Sequence, residues 1–243
     1  IHAHYGTLDE VVHCCRQVVT LQPDNAGAYY NMGVALQTLG KPEEAADSYR
    51  QVLRLNPAMA QAHTNLGLVY RQLDQLGEAE KYCRAAVRLN PAMARAHNNL
   101  GLVLKDQNRI GEASASFREA IKTNPQLAEA HYNLGLCQGK DGQLDQAMTS
   151  FQEALRCKPE YAEAGNDLGL MLMARKQHEQ AVASFRQALR GKPDNAEIHN
   201  NLGTALMGLR QFSVATKHFR RAVEIRPDFA AAYNNLGNAL LDQ

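Results

Sequence analysis

The stretch NNLGLVLKDQNRIGEASASFREAIKTNP, from Asn98 to Pro125, decides the fold because its pattern returns every 34 residues along the chain. The period is marked by seven prolines: Pro23, Pro57, Pro91, Pro125, Pro159, Pro193 and Pro227. Self-similarity at a fixed period of this length is typical of a solenoid, in which each unit is too small to bury its own apolar face and stacks on its neighbours. The sequence therefore predicts a surface rather than a reaction.

Glycine returns in the same register inside an apolar pattern of helical period, at Gly33, Gly67, Gly101, Gly135, Gly169, Gly203 and Gly237. Glycine in a helix costs roughly 0.5 to 1 kcal/mol against alanine, so its recurrence needs a steric reason. We expect a partner helix too close to admit a side chain, faced by the alanines Ala45, Ala79, Ala113, Ala147, Ala181 and Ala215. Two antiparallel helices per repeat follow.

The two helices of a repeat carry different anchors. In the first helix an anchor residue is followed by leucine or methionine and then glycine, three and four residues later, which is helical spacing. These anchors are Tyr29, His63, His97, His131, His199 and Tyr233. The second helix carries Tyr49, Cys83, Phe117, Phe151, Phe185 and Phe219. It should end just before each periodic proline, which cannot continue the hydrogen-bond ladder and disfavours helix in the preceding residue.

These columns resemble those of the tetratricopeptide repeat family over the whole chain. The resemblance implies an all-α, right-handed superhelical solenoid of antiparallel helix pairs. It also implies a scaffold that binds a peptide or protein segment along the concave face, although fold alone does not give function. The expected divisions are the second helix of a truncated first repeat at 1–25, repeats at 26–59, 60–93, 94–127, 128–161, 162–195 and 196–229, and the first helix of a further repeat at 230–243.

Composition excludes several classes of partner. The 26 basic and 25 acidic residues give a net charge of +1, which leaves no field to attract nucleic acid. No apolar run approaches the roughly 20 residues that cross a membrane, so we expect no membrane insertion. The five cysteines, an odd number without CxxC spacing, favour a cytoplasmic or other reducing compartment.

No constellation of residues predicts catalysis, a metal or a cofactor. Four of the histidines repeat in the first-helix anchor column, and neighbouring packed helices lie about 8 to 10 Å apart, too far for one zinc ion to gather them. Paired carboxylates such as Glu43 and Glu44 fall at helix starts, where they complement the helix dipole. We therefore expect no enzyme activity in these residues.

The candidate site is the face that the core does not use. The position two residues before each glycine points roughly opposite to it, and an amide there can pair with the backbone of any extended peptide. This column reads Asn31, Asn65, Asn99, Asn133, Asp167, Asn201 and Asn235. Three residues later along the same face come Leu68, Leu102, Leu136 and Leu170.

Each column also has a plainer interpretation. The asparagines serve either peptide contact or packing between repeats, and the leucines are either an open apolar floor or core. Asp167 replaces the usual asparagine, and it either selects a cationic side chain or marks a weaker repeat. The acidic column Glu129, Glu163 and Glu197 is either a polarity signal or a solvated surface.

Comparison with known subtypes of the family argues against one specific function and supports another as an alternative. The carboxylate clamp that grips acidic chaperone tails fails to match, because its first lysine position holds Tyr30, Thr64, Asn98, Tyr132, Asn166, Asn200 and Asn234. The stretch FAAAYNNLGNALLDQ, from Phe229 to Gln243, is similar to the repeats of O-linked N-acetylglucosamine transferases. That resemblance implies a substrate-recruiting region whose catalytic domain lies elsewhere. A self-assembling array, joined through apolar ends at Leu236 and Leu240, is a third alternative.

Overall fold

The computed structural model describes residues 2–242, with side chains from residue 8 onward, and in this part it contains fourteen helices and no strand. The helices are α1 (His2–Leu21), α2 (Ala26–Thr38), α3 (Pro42–Leu55), α4 (Ala60–Gln72), α5 (Leu76–Leu89), α6 (Ala94–Asp106), α7 (Ile110–Thr123), α8 (Ala128–Lys140), α9 (Leu144–Cys157), α10 (Ala162–Ala174), α11 (His178–Gly191), α12 (Ala196–Gly208), α13 (Phe212–Ile225) and α14 (Ala230–Leu241). The predicted all-α solenoid of helix pairs is confirmed.

The residues at the repeat boundaries explain where the helices begin and end. The second helix α7 ends at Thr123, and Asn124 before the periodic proline turns to extended backbone at φ −141° and ψ 93°. Asn25 and Asn195 cap α2 and α12 by accepting bonds from Ala28 N–H and Ile198 N–H. These side chains replace the missing backbone partners of a helix start.

Each link from first to second helix turns through one residue with left-handed backbone. Glycine fills this position at Gly40 and Gly142, while Asp74, Asn108, Lys176 and Arg210 occupy it at φ of 57° to 60°. The next N–H reaches back to a carbonyl five residues earlier, as when Lys41 N–H donates to Leu36 O at 2.9 Å. This closure satisfies end carbonyls and reverses the chain within a few residues.

Six of the seven periodic glycines lie against the second helix of the same hairpin, and an added Cβ at Gly237 meets nothing within 4 Å. A Cβ added to Gly101 would lie 2.6 Å from Phe117 Cε1, and one on Gly203 would lie 2.5 Å from Phe219 Cε1. The alanines expected to face these glycines are not the nearest groups. The nearest atoms belong to the second-helix anchor, which is an aromatic ring at five glycines and Cys83 Sγ at Gly67. The alanine column is buried beside them and contributes backbone oxygen, as at Ala79, 3.3 Å away from the added Cβ of Gly67.

The chain divides into two compact units, Ile1–Pro125 and Gln126–Gln243. In each unit, first and second helices pack as consecutive hairpins around the fully buried second-helix column, which includes Tyr49 and Phe117 in the first unit and Phe185 and Phe219 in the second. Contacts also join successive first helices, α4 with α6 and α10 with α12. Within each unit, the surface that its first helices share is called the first-helix face of that unit below. The predicted repeat boundaries stay a prediction.

Candidate binding face

The amide column lies along the first-helix faces of the two units, but its members differ in exposure. Asn31 is exposed, whereas Asn65, Asp167, Asn201 and Asn235 are half-buried. Asn99 and Asn133 are buried, at 3% and 7% exposure. The column is therefore graded, and only part of it is accessible to another molecule.

In the first unit, Asn65 ties three helices together. Its Nδ2 donates to Tyr30 Oη of α2 at 3.1 Å and to Tyr49 Oη of α3 at 3.3 Å. Burial, the largest influence, raises the pKa of Tyr49 well above its usual range. Asn65 Oδ1 has no partner among the described residues, so this side chain presents an acceptor to the outside.

The same bond is missing one repeat later. Asn99 Nδ2 is buried without a hydrogen-bond partner in the described part of the chain. Thr64 holds the position that Tyr30 holds relative to Asn65. Its hydroxyl donates instead to Ala60 O at 2.8 Å, and Met93 Sδ lies 3.4 Å from the hydroxyl oxygen. A threonine is too short to reach the next first helix, which explains the orphaned amide.

In the second unit, the 35-residue connection repeats with a different partner. Asn201 Nδ2 donates to Asn166 Oδ1 at 3.0 Å, and Asn235 Nδ2 donates to Asn200 Oδ1 at 2.9 Å. The partner column is the one that failed to match a carboxylate clamp, and sequence reasoning gave it no other role. Its regular supply of tyrosine, threonine and asparagine was the available signal, because those side chains can accept a hydrogen bond.

Asp167 reverses the polarity of this connection. Its Oδ2 accepts a hydrogen bond from Tyr132 Oη at 3.0 Å, and its Oδ1 accepts one from Asn166 Nδ2 at 3.3 Å. Burial, together with the nearby Glu163 carboxylate, raises the pKa of Asp167 despite these two bonds. Lys192 Nζ lies 2.6 Å from Glu163 Oε1 and lowers the pKa of Glu163.

The leucine column is neither fully open nor fully core. Leu68, Leu102 and Leu136 are half-buried, and Leu136 packs against the buried cluster of the second unit. Leu170 is 43% exposed, and Val34, in the equivalent position of α2, is 40% exposed. The face thus offers apolar contact mainly beside Asn31 and Asp167.

The first-helix histidines support the turns. His63, His97 and His199 each place Nε2 2.8 to 2.9 Å from the carbonyl oxygen of the proline six residues earlier, so Nε2–H donates to it. Within residues 8–242, no group of three or more histidine, cysteine, aspartate or glutamate side chains could hold a metal ion. None of the five cysteines, which all lie in the described residues, forms a disulfide. No helix of the described chain is long and apolar enough to span a bilayer.

Repeated hairpins whose first helices share a face within each unit define the chain as a helical-repeat protein. The tetratricopeptide repeat profile matches residues 30–94 and 98–162, and further profiles of this repeat match 169–209 and 196–229. The chain therefore belongs to the tetratricopeptide repeat family. Membership of this family supports a role as a protein-interaction scaffold, and the fold is generally non-catalytic.

Solved structures share this fold at low sequence identity. The APC/C hetero-tetramer Cut9–Hcn1 matches with a TM-score of 0.75 at 17% identity, over 97% of this chain but only 46% of that chain. Pseudomonas aeruginosa pilF matches with a TM-score of 0.78 at 21% identity, over 88% and 97%. YrrB, a TPR protein with an unusual peptide-binding site, matches with a TM-score of 0.62 at 21% identity, over 78% and 97%. A comparison of the sequence with curated proteins found no significant match.

Proposed function

We propose that the chain is a non-catalytic scaffold that holds a peptide or protein segment against the first-helix face, which corresponds to the concave face expected for this family. One observation carries the proposal. The Nδ2 groups of Asn65, Asn201 and Asn235 bond to the preceding first helix, and their Oδ1 atoms have no partner among the described residues. These oxygens can accept backbone N–H groups whatever the sequence of the segment.

One asparagine side chain can therefore serve both packing between repeats and contact with a peptide. The amide nitrogen fixes the orientation of the side chain, and a fixed acceptor loses less conformational entropy when a ligand binds. The exposed apolar surfaces of Val34 in the first unit and Leu170 in the second add contact area to the first-helix faces. Peptide binding by YrrB, a protein of the same fold, supports a peptide as the class of ligand.

The test first selects peptides that bind the chain and then substitutes residues of the first-helix face. Random peptides of about twelve residues, which span roughly 40 Å when extended, would be selected on the chain by phage display. Their affinity would be measured by calorimetry for Leu170→Glu and Asn201→Ala. We expect each change to weaken binding about tenfold, because Asn201→Ala removes about one hydrogen bond and Leu170→Glu replaces an apolar contact with a charge that binding must desolvate.

Gln152→Glu is the matched control, because it adds the same charge at an exposed position of the second helix α9. It should leave affinity unchanged, and thermal melting should show that all three variants remain folded. Binding that survives Leu170→Glu and Asn201→Ala but is lost in Gln152→Glu would move the site to the second helices and contradict the proposal.

A further inference from the structure

A small pocket on the first-helix face of the second unit surrounds the one aspartate of the amide column. The pocket has a volume of about 140 Å³ and is formed by α8, α10 and α12, with Tyr132, Glu163, Asp167, Lys192 and Glu197 among its lining residues. The other six positions of the column hold asparagine. The substitution therefore places a carboxylate where every other repeat has a neutral amide.

Among the described residues, only neutral groups bond to the Asp167 carboxylate. Its two oxygens accept from Tyr132 Oη at 3.0 Å and from Asn166 Nδ2 at 3.3 Å. An ionised carboxylate can accept about four hydrogen bonds, so acceptor capacity remains on both oxygens. No cationic side chain of the described residues forms an ion pair with it.

The other charges of the pocket are already paired. Lys192 Nζ lies 2.6 Å from Glu163 Oε1, and Arg226 Nη1 lies 3.3 Å from Glu197 Oε1. Within the described structure, Asp167 is thus the one charged group lining this pocket that has no counter-ion. A half-buried carboxylate without one is costly because it has lost part of its hydration, and burial accordingly raises the pKa of Asp167.

An aromatic side chain lines the pocket together with the Asp167 carboxylate. Tyr132 lines the pocket, and its ring centroid lies 5.0 Å from that of Tyr161 and 5.6 Å from that of Phe151, which hold the ring in place. The face of a tyrosine ring attracts a cation within about 6 Å of its centroid. A carboxylate and an aromatic ring on one small pocket are complementary to an organic cation.

We infer that this pocket binds the alkylammonium or guanidinium end of a lysine or arginine side chain in the partner segment. The inference rests on the proposed function, because the same first-helix face holds the segment. It adds a sequence preference to a surface whose asparagines recognise backbone alone. The cation supplies the missing counter-ion of Asp167, and Tyr132 packs on its apolar stem or head.

The first test compares peptides that differ only in charge. From the selected binders, arginine would be replaced by citrulline, and lysine by norleucine, at each position in turn. We expect one position at which the cationic form binds about tenfold tighter to the parent chain, a size typical of a charge-assisted hydrogen bond. Asp167→Asn should abolish that ratio, whereas Glu197→Gln, which removes an already paired carboxylate from the same pocket, should preserve it.

A second test does not depend on peptide binding. Agmatine, a small guanidinium compound, would be titrated into the chain while the carboxyl carbon of Asp167 is observed by NMR. A saturable shift of the Asp167 carboxyl carbon and of neighbouring signals supports the cation pocket if Asp167→Asn abolishes the shift of the neighbouring signals. This holds even if no peptide binds and the proposed function fails. Peptides that bind without charge preference, together with no agmatine shift, would overturn the pocket and leave the proposed function standing. Absence of any peptide binding to the first-helix face, together with no agmatine shift, would overturn both.

Discussion

At the scale of single residues, the first-helix face depends on a pair of positions 35 residues apart. A column amide is satisfied when the earlier position holds a side chain long enough to reach it, as Tyr30 does for Asn65 and Asn166 does for Asn201. Thr64 is too short, and the buried Nδ2 of Asn99 has no partner in the described structure. The cost of this defect is measurable, because a buried unsatisfied donor destabilises a fold by about 1 to 3 kcal/mol.

We expect Thr64→Asn to stabilise the chain by about 1 kcal/mol, because the new Oδ1 can accept from Asn99 Nδ2 as Asn166 Oδ1 accepts from Asn201. The gain is partial since the Thr64 hydroxyl bond to Ala60 O is lost. The free energy of unfolding in urea is the measurement. Thr64→Val, which has the same shape as threonine but no acceptor, is the control and should not stabilise. Equal stabilisation by both variants would show that the amide bond is not the cause.

At the scale of one hairpin, α12 and α13 are joined by facing histidines. His199 Nδ1 lies 3.1 Å from His218 Nδ1, and His199 Nε2–H donates to Pro193 O at 2.9 Å. Since that bond fixes the proton of neutral His199 on Nε2, its Nδ1 is an acceptor and His218 Nδ1–H donates to it. Only one proton fits between the two nitrogens. The equivalent position of α3, α9 and α11 holds Ser48, Ser150 or Ser184, which avoids this restriction.

Acid should therefore destabilise this hairpin. Burial, then the charges of His199 and Arg186, lower the pKa of His218 to about 4. Burial also lowers the pKa of His199. Arg221 acts on His199 in the same direction, whereas the hydrogen bond to Pro193 and the charge of Asp194 oppose it. A histidine with a lowered folded pKa contributes stability above its unfolded pKa of about 6.5 and loses it as the pH falls towards 4.

His218→Ser tests this pH dependence with the residue that other repeats use. We expect the melting temperature of the parent chain to fall more steeply between pH 7 and pH 4.5 than that of the variant, because the variant lacks the second imidazole. His97→Ser is the control, since this histidine bonds to its proline carbonyl without facing a second imidazole across the hairpin. Parallel pH profiles for the parent and His218→Ser would contradict the argument.

At the scale of the whole molecule, the sequence predicts the helices better than the site. Proline and glycine act locally, so Pro125 and Gly101 alone indicate where a helix ends and where two helices touch. Exposure along the amide column depends on contacts between repeats, which is why Asn99 is buried and Asn31 is exposed although both fit the same motif. The direction of the Asp167 bonds likewise required the position of Tyr132, which lies 35 residues away.

Locality also predicts how damage spreads through a solenoid, because each hairpin contacts mainly its neighbours. Gly101→Ala adds a methyl group 2.6 Å from the Phe117 ring at the centre of the α6–α7 hairpin. Overpacking of this kind costs about 1 to 3 kcal/mol. Hydrogen exchange should accelerate in α6 and α7, less in α4 and α5, and little in α2 and α3 of the same unit. Gly111→Ala, at a position where an added Cβ meets nothing within 4 Å, should not accelerate exchange. Uniform acceleration from α2 to α7 after Gly101→Ala would mean that the unit unfolds as one cooperative body, and stability would then not be a sum over neighbouring repeats.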